Sequence, residues 1–226
     1  LKDMEYVRNF YVNGYPAQRA RSKYIYRNLR NYQEDGSTHI ADGIVTSALN
    51  FPEHFARPQD LELSLQVMWI HNLAPVQEVR RDGEEVHILL KQPFFDTMLK
   101  TTPKDYNYNT FYMENAMELL DEQGEFYYNA GEEMLYYYPH SEEDLNNAET
   151  YVGDTELMMK IQGASADNKV TNMVFQNLKF RYGAYNFVSR NGYLGGQADG
   201  LNIKFYDENG NHSSAAQLTV NMADNI

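Results

Sequence analysis

The side chains with the most to offer chemically are carboxylates and tyrosines. The chain of 226 residues carries 32 Asp and Glu and 19 Tyr. Two carboxyls facing one sugar hydrolyse a glycosidic bond, about 5–5.5 Å apart with retention or about 6.5–9.5 Å apart with inversion. Nothing in the spacing picks out such a pair. Glu114 and Glu118 lie at i, i+4 within a segment with helical periodicity and read as a solvated helix face. Glu142, Glu143 and Asp144 read as a solvated linker.

Other chemistries find no support. The six His residues (His39, His54, His71, His87, His140 and His212) are scattered without HExxH or other ligand spacing. With no Cys there is no thiol nucleophile, disulfide or zinc–thiolate site. No GxSxG elbow is present, and Gly195-Gly196-Gln197 is too short to cradle a phosphate. Asp207-Glu208-Asn209-Gly210-Asn211 places its Gly fourth, where an EF-hand loop needs it sixth. It reads as an Asn-Gly hairpin turn. No metal or cofactor is expected.

Charge narrows the partners. A net charge of −13 disfavours nucleic acid, whose phosphates call for a basic surface. It disfavours anionic membranes too, and no stretch approaches the ~18 apolar residues of a bilayer span. Neutral oligo- or polysaccharide is compatible. The 19 Tyr and 11 Phe against one Trp suit strands and core packing, and a subset would suit stacking on sugar rings. No signal peptide opens the chain at Leu1. If the parent is exported, to the periplasm, cell surface or medium, its leader lies upstream.

The elements that must position these groups read as mostly β. An apolar run from Tyr6 ends at Asn13-Gly14, a two-residue hairpin signal. Residues 24–36 read as a polar loop. The run Leu61-Glu62-Leu63-Ser64-Leu65-Gln66-Val67 alternates with period 2, as in a half-buried strand. Val76-Gln77-Glu78-Val79 and Val86-His87-Ile88-Leu89-Leu90 flank Asp82-Gly83 as a hairpin. Met113, Ala116, Met117 and Leu120 recur at i, i+3, i+4, i+7, predicting one helix over residues 111–121. Phe126-Tyr127-Tyr128 and Leu135-Tyr136-Tyr137-Tyr138 flank Asn129-Ala130-Gly131 as a further hairpin.

After about residue 150 short β runs alternate with Asn-containing corners. Ile161-Gln162-Gly163 followed by Asn172-Met173 resembles Val220-Asn221-Met222 followed by Asn225-Ile226. This weak repeat suits a solenoid rung carrying an inserted loop. A rung cannot bury its face alone, so Ile226 reads as a cut within the second rung. Self-association through the open strand edge is expected there.

Several blocks resemble, in order, those of large bacterial β-helix proteins. They are Tyr11-Val12-Asn13-Gly14 with Ala17-Gln18-Arg19-Ala20-Arg21; Asp60-Leu61-Glu62 with Trp69 and Pro75-Val76; and residues 114–127, from Glu114-Asn115-Ala116 to Glu125-Phe126-Tyr127. Leu135-Tyr136-Tyr137-Tyr138-Pro139 and residues 170–180, around Asn172-Met173-Val174-Phe175-Gln176-Asn177, complete the series. The resemblance is to pectate-lyase-like right-handed parallel β-helix proteins acting on carbohydrate, with an inserted β-sandwich-like domain, of the kind in glycoside hydrolase families 141 and 120. Gln123 stands where Pro is common in them.

The resemblance implies a mainly β fold: a β-sandwich-like domain with one short helix over residues 1–150, then the first rungs of a right-handed parallel β-helix over 151–226. It implies a fragment of a glycan-degrading enzyme, a glycoside hydrolase, whose catalytic carboxylates project from later rungs. The chain alone is then expected to be inactive. Solenoid insertions tend to fall on one face, often the binding face. Tyr185, Asn186, Gln197 and Asp199 are therefore the candidates for substrate contact: Tyr185 to stack on a pyranose, Asn186 and Gln197 to bond hydroxyls. Two other readings stay open. One is a non-catalytic carbohydrate-binding or surface module. The other is a polysaccharide lyase, which the acidic balance disfavours because uronate calls for basic groups.

Overall fold

The computed structural model describes residues 1–2, 4, 6–27, 30–32, 42–67, 70–101, 110–184, 193–194 and 217–226. The first strands are short: β1 (Phe10–Val12), β2 (Tyr15–Pro16), β3 (Gln18–Arg19), β4 (Tyr26–Arg27) and β5 (Arg30–Tyr32). Longer ones follow: β6 (Gly43–Ser47), β7 (Glu62–Val67), β8 (Ile70–Asp82) and β9 (Glu85–Leu90), then the helix α1 (Phe94–Thr101). Next come β10 (Thr110–Glu114), β11 (Glu125–Asn129), β12 (Met134–Tyr137) and β13 (Thr150–Val152). The remainder are β14 (Met159–Gln162), β15 (Val170–Thr171), β16 (Tyr193–Leu194), β17 (Leu218–Asn221) and β18 (Ala223–Asp224). The protein is mainly β, with sheets stacked in a sandwich-like arrangement.

The large sheet runs β4-β10-β7-β8-β9-β6-β5, with β16 also pairing on β8. Its organiser is β8. The first half pairs antiparallel with β7, from Val67↔Ile70 to Glu62↔Pro75. The second half pairs with β9, with a register shift between Val76 and Glu78. One long strand thus serves two neighbours, and its irregularity redirects the sheet as bulges do. The turn to β9 is Gly83-Glu84, between the partners Asp82 and Glu85. Gly83 has φ +58, as the first central residue of a II′ turn requires.

The main core lies under this sheet. Leu61, Leu63, Leu65, Ile88, Leu90, Phe94, Phe95, Met98 and Phe111 are buried together in it. A smaller core joins Val7, Phe10 and Val12 to Phe126 and Tyr128. Between the two stands β11, buried at every position. Its alternation sends Tyr127 into the main core and Phe126 and Tyr128 into the smaller one.

Three expectations are corrected. Residues 111–121 are not an α-helix: β10 occupies Thr110–Glu114, followed by a 3₁₀ turn at Met117–Leu119. Met113 and Phe111 face the core with period 2, paired with Leu63 and Leu65. The chain breaks from the strand at Asn115, in the left-handed region at φ +66. The helix is α1 instead, burying Phe94, Phe95 and Met98. Gln92 marks its start, its side-chain oxygen accepting from the Asp96 amide at 3.0 Å. The span 24–36 is not all loop, since β4 and β5 lie in it. And β7 is not half-buried: Glu62 and Ser64, on its second face, are 2% and 1% exposed.

Beyond β13 two parallel pairs form. β14 pairs with β17 from Met159↔Leu218 to Gln162↔Asn221, and β15 with β18 through Val170↔Ala223 and Thr171↔Asp224. Ile161 faces Val220, the register in which the two repeat segments align. Residues 163–169 separate β14 from β15, whereas Met222 alone separates β17 from β18. The longer corner closes on itself through a Ser165↔Asn168 bridge.

Candidate functional site

The substrate-contact candidates Tyr185, Asn186, Gln197 and Asp199 lie outside the described residues. The segment leading into them is well placed. The Ala184 amide donates to the Thr155 carbonyl at 2.9 Å, and Tyr11 Oη donates to the Gly183 carbonyl at 3.1 Å. Tyr182, at φ +58, turns its ring onto Tyr151, with centroids 4.3 Å apart and planes at 10°. The same ring tilts against Tyr11 at 5.1 Å. Tyr11 and Tyr151 are register partners across β1 and β13, so they leave the sheet on one face.

Sequence chemistry explains the anchor. Asn13 and Gly14 have φ +51 and +86, the two positive values of a type I′ turn. That turn sets Tyr15 opposite Val12 and Pro16 opposite Tyr11. Asn13 also ties the hairpin to β13: its side chain accepts from the Glu149 amide at 3.1 Å, and its own amide donates to the Glu149 carbonyl at 2.8 Å. The result is a tyrosine ledge beside the entry to residue 185. Tyr151 keeps 41% of its surface exposed.

The described carboxylates that converge do so for another purpose. Glu62 receives Arg8 on one oxygen and Arg19 on the other, the latter at 2.6 Å. The same Arg19 nitrogen reaches Glu114 at 3.1 Å. Burial opposes ionisation of Glu62, yet the charges of Arg8 and Arg19 outweigh it and hold its pKa below the usual range. A general acid needs the opposite, a raised pKa and access to the leaving oxygen. Glu62 and Glu114 thus tie β7 and β10 to Arg19 of β3. Glu118 shares no helix face with Glu114; it accepts from the Ala56 amide at 2.8 Å.

A second buried group is similar in kind. Asp60 accepts from Arg57 at 2.5 and 3.2 Å and from Tyr127 Oη at 3.0 Å. Burial, then the Asp60 charge and hydrogen bond, push the Tyr127 phenol up, so it remains a donor. Among the described residues no three His, Asp or Glu side chains converge as a metal cage.

One side chain escaped the sequence reading. Glu143 is not a solvated linker residue. It accepts from Tyr137 Oη at 2.7 Å and from the His140 amide at 3.0 Å, both on Oε2. The available signal was the spacing Tyr137, His140, Glu143, which allows a turn to fold a carboxylate back onto a strand end.

A mainly β sandwich-like domain, followed by parallel strand pairs and bearing an aromatic ledge, defines the class. Residues 2–140 match the GH141 insertion domain, and the chain belongs to that family. The fold is also similar to that of a solved structure titled "Glycoside hydrolase", with a TM-score of 0.68 at 23% identity, over 83% of this chain. The chain spans 33% of that protein's length. A comparison with curated proteins gave no match.

Proposed function

We propose that this chain is the insertion domain of a glycan-degrading enzyme together with the opening rungs of its right-handed parallel β-helix. Tyr185, Asn186, Gln197 and Asp199 contact the substrate, with Tyr185 stacking on a pyranose and Asn186 and Gln197 bonding hydroxyls. The observation that carries the reading is the family match over residues 2–140. Parallel pairing of β14 with β17 and β15 with β18 supports the helical part. The tyrosine ledge at the entry to residue 185 supports the placement of the substrate side.

In this reading the acid and its partner carboxylate lie outside the chain. The convergent pair within it, Glu62 and Glu114, is neutralised by Arg19. That same observation favours a second reading, a non-catalytic carbohydrate-binding module. Exposed apolar side chains such as Val220 at 51% and Ile226 at 45% support self-association, to be read by sedimentation.

The test is a glycan array on this chain with aryl-glycoside hydrolysis measured on the same sample. Binding without turnover, weakened by Tyr185→Ala, is the expected result. Turnover abolished by Asp199→Asn would place a catalytic carboxylate inside the chain. Absence of glycan binding in this chain and in the longer protein would remove the carbohydrate reading.

A further inference from the structure

The hairpin of β1 and β2 has a second face. Tyr15 pairs with Val12, so both side chains leave the sheet opposite Tyr11. There they border a cleft of about 260 Å³ against the end of β12 and the turn behind it. Val12, Pro16 and Ala17 supply apolar lining, and Tyr137, His140 and Glu143 supply polar groups. Its volume falls below the ~300–1,000 Å³ of pockets for drug-sized ligands. It has room for one small ring rather than an extended chain.

The polar groups are fixed before any ligand arrives. Tyr137 Oη and the His140 amide both hold Glu143 through Oε2, which leaves Oε1 as an open acceptor. Among the described residues no Lys or Arg pairs with this carboxylate. The His140 imidazole lies on the backbone of Gly124, where a side chain would overlap the ring. Gly124 is itself clamped: its amide donates to Tyr138 O at 2.7 Å, and its carbonyl accepts from the Gln18 amide at 3.0 Å. Its φ of +88 suits glycine and disfavours other residues. At the mouth Tyr15 leaves 76% of its surface in water.

An oriented carboxylate oxygen, an imidazole and an exposed phenol face around an apolar floor match a polyol with one apolar side. The carboxylate repels phosphate and uronate. We propose that this cleft is a binding subsite for a single neutral pyranose. Tyr15 stacks on the C–H face of the sugar, while Glu143 Oε1 and His140 bond adjacent hydroxyls. The inference rests on the carbohydrate reading above but not on Tyr185, Asn186, Gln197 or Asp199, none of which lines the cleft.

The test is an NMR titration of the full chain with methyl glucoside, methyl galactoside and methyl mannoside, with glucuronate as the charged comparison. At least one neutral glycoside is expected to shift the His140 ring and Glu143 amide signals saturably. Glu143→Gln and Tyr15→Ala each weaken that binding by about tenfold or more, as loss of a charge-assisted bond or a stacking face predicts. Tyr24→Ala, an exposed tyrosine that does not line the cleft, leaves it unchanged. No saturable shift with any neutral glycoside overturns the inference. So does glucuronate binding equally well, or affinity that survives both substitutions. A silent cleft with array binding still sensitive to Tyr185→Ala overturns this subsite alone; silence in both, and on the array with the longer protein, overturns the carbohydrate reading itself.

Discussion

Asn225 donates through Nδ2 to Asn172 Oδ1 at 2.7 Å, across 53 residues of sequence. Both residues hold the left-handed conformation, at φ +54 and +58. Each follows a parallel strand directly, and those strands pair through Thr171↔Asp224. Two corners are thus stacked, each turning the chain in the same sense. Asn tolerates this backbone where most residues do not, and its amide supplies the contact between layers.

Asn225→Ala should lose both contributions, the backbone tolerance and the side-chain bond. A loss of about 1–2 kcal/mol is expected, read by denaturant unfolding of the full chain. Asn225→Gly keeps the backbone freedom and should lose less. Faster hydrogen exchange at the Val170 and Asn172 amides, which donate to Met222 and Asp224, would locate the damage. Equal stability of Asn225→Ala and the parent would show that the stacked corners contribute nothing.

Glu62 should be the most damaging polar substitution. Removing its charge takes away the buried carboxylate that Arg8 and Arg19 share and leaves Arg19 to Glu114, a loss of about 3–5 kcal/mol. The pH dependence follows from the direction of its shift. The folded pKa lies below the reference value of 4.5, so the contribution is fully present above that value. It fades as pH falls through the lower folded pKa. Urea melts from neutral to acid pH should show this decline in the parent, and Glu62→Gln should flatten it while starting lower.

Tyr26 predicts the alkaline limb. Burial, then the Tyr24 charge, push its phenol up to about 12. The unfolded chain ionises near 10, so stability from this group is present below that pH and is lost as pH rises from 10 towards about 12. Its hydroxyl donates to Asn50 O at 2.9 Å, so Tyr26→Phe should cost about 1 kcal/mol at neutral pH. The variant should also remove one late phenolate step from an absorbance titration.

The tyrosine ledge can be weighed directly. A double-mutant cycle on Tyr11 and Tyr182 should return a coupling of about 0.5–1.5 kcal/mol, as for other aromatic pairs. Coupling near zero would mean that the segment before residue 185 is held by the Tyr151–Tyr182 stack and the Gly183 and Ala184 hydrogen bonds without help from the Tyr11 ring.

Elements set by local chemistry were legible in the sequence. Asn13-Gly14 declared its hairpin, and Asn129-Ala130-Gly131 declared the turn between β11 and β12. The Asn172 and Asn225 corners could be aligned before any pairing was known. Elements set at long range were not. Met113, Ala116, Met117 and Leu120 satisfy a helical stripe, but pairing with β7 on one side and β4 on the other imposes the strand period on Phe111 and Met113. The helix over Phe94–Thr101 was missed because its apolar run is as short as a strand's. Glu62 looked like the wet side of β7, and its partners Arg8 and Arg19 are 54 and 43 residues away. Glu143 looked like part of an acidic run because its role depends on a turn that returns it to Tyr137.

The unequal corners between the parallel pairs have a practical consequence. Residues 163–169 do on one level what Met222 does alone on the next, while the strands on either side stay in step. Corner length is therefore decoupled from ladder alignment, as expected where a loop closes on its own hydrogen bonds. The Ala166-Asp167 tip is accordingly a natural port for cargo. A reporter peptide or dye-labelling tag spliced there leaves both the stacked asparagines and the hairpin of β1 and β2 undisturbed.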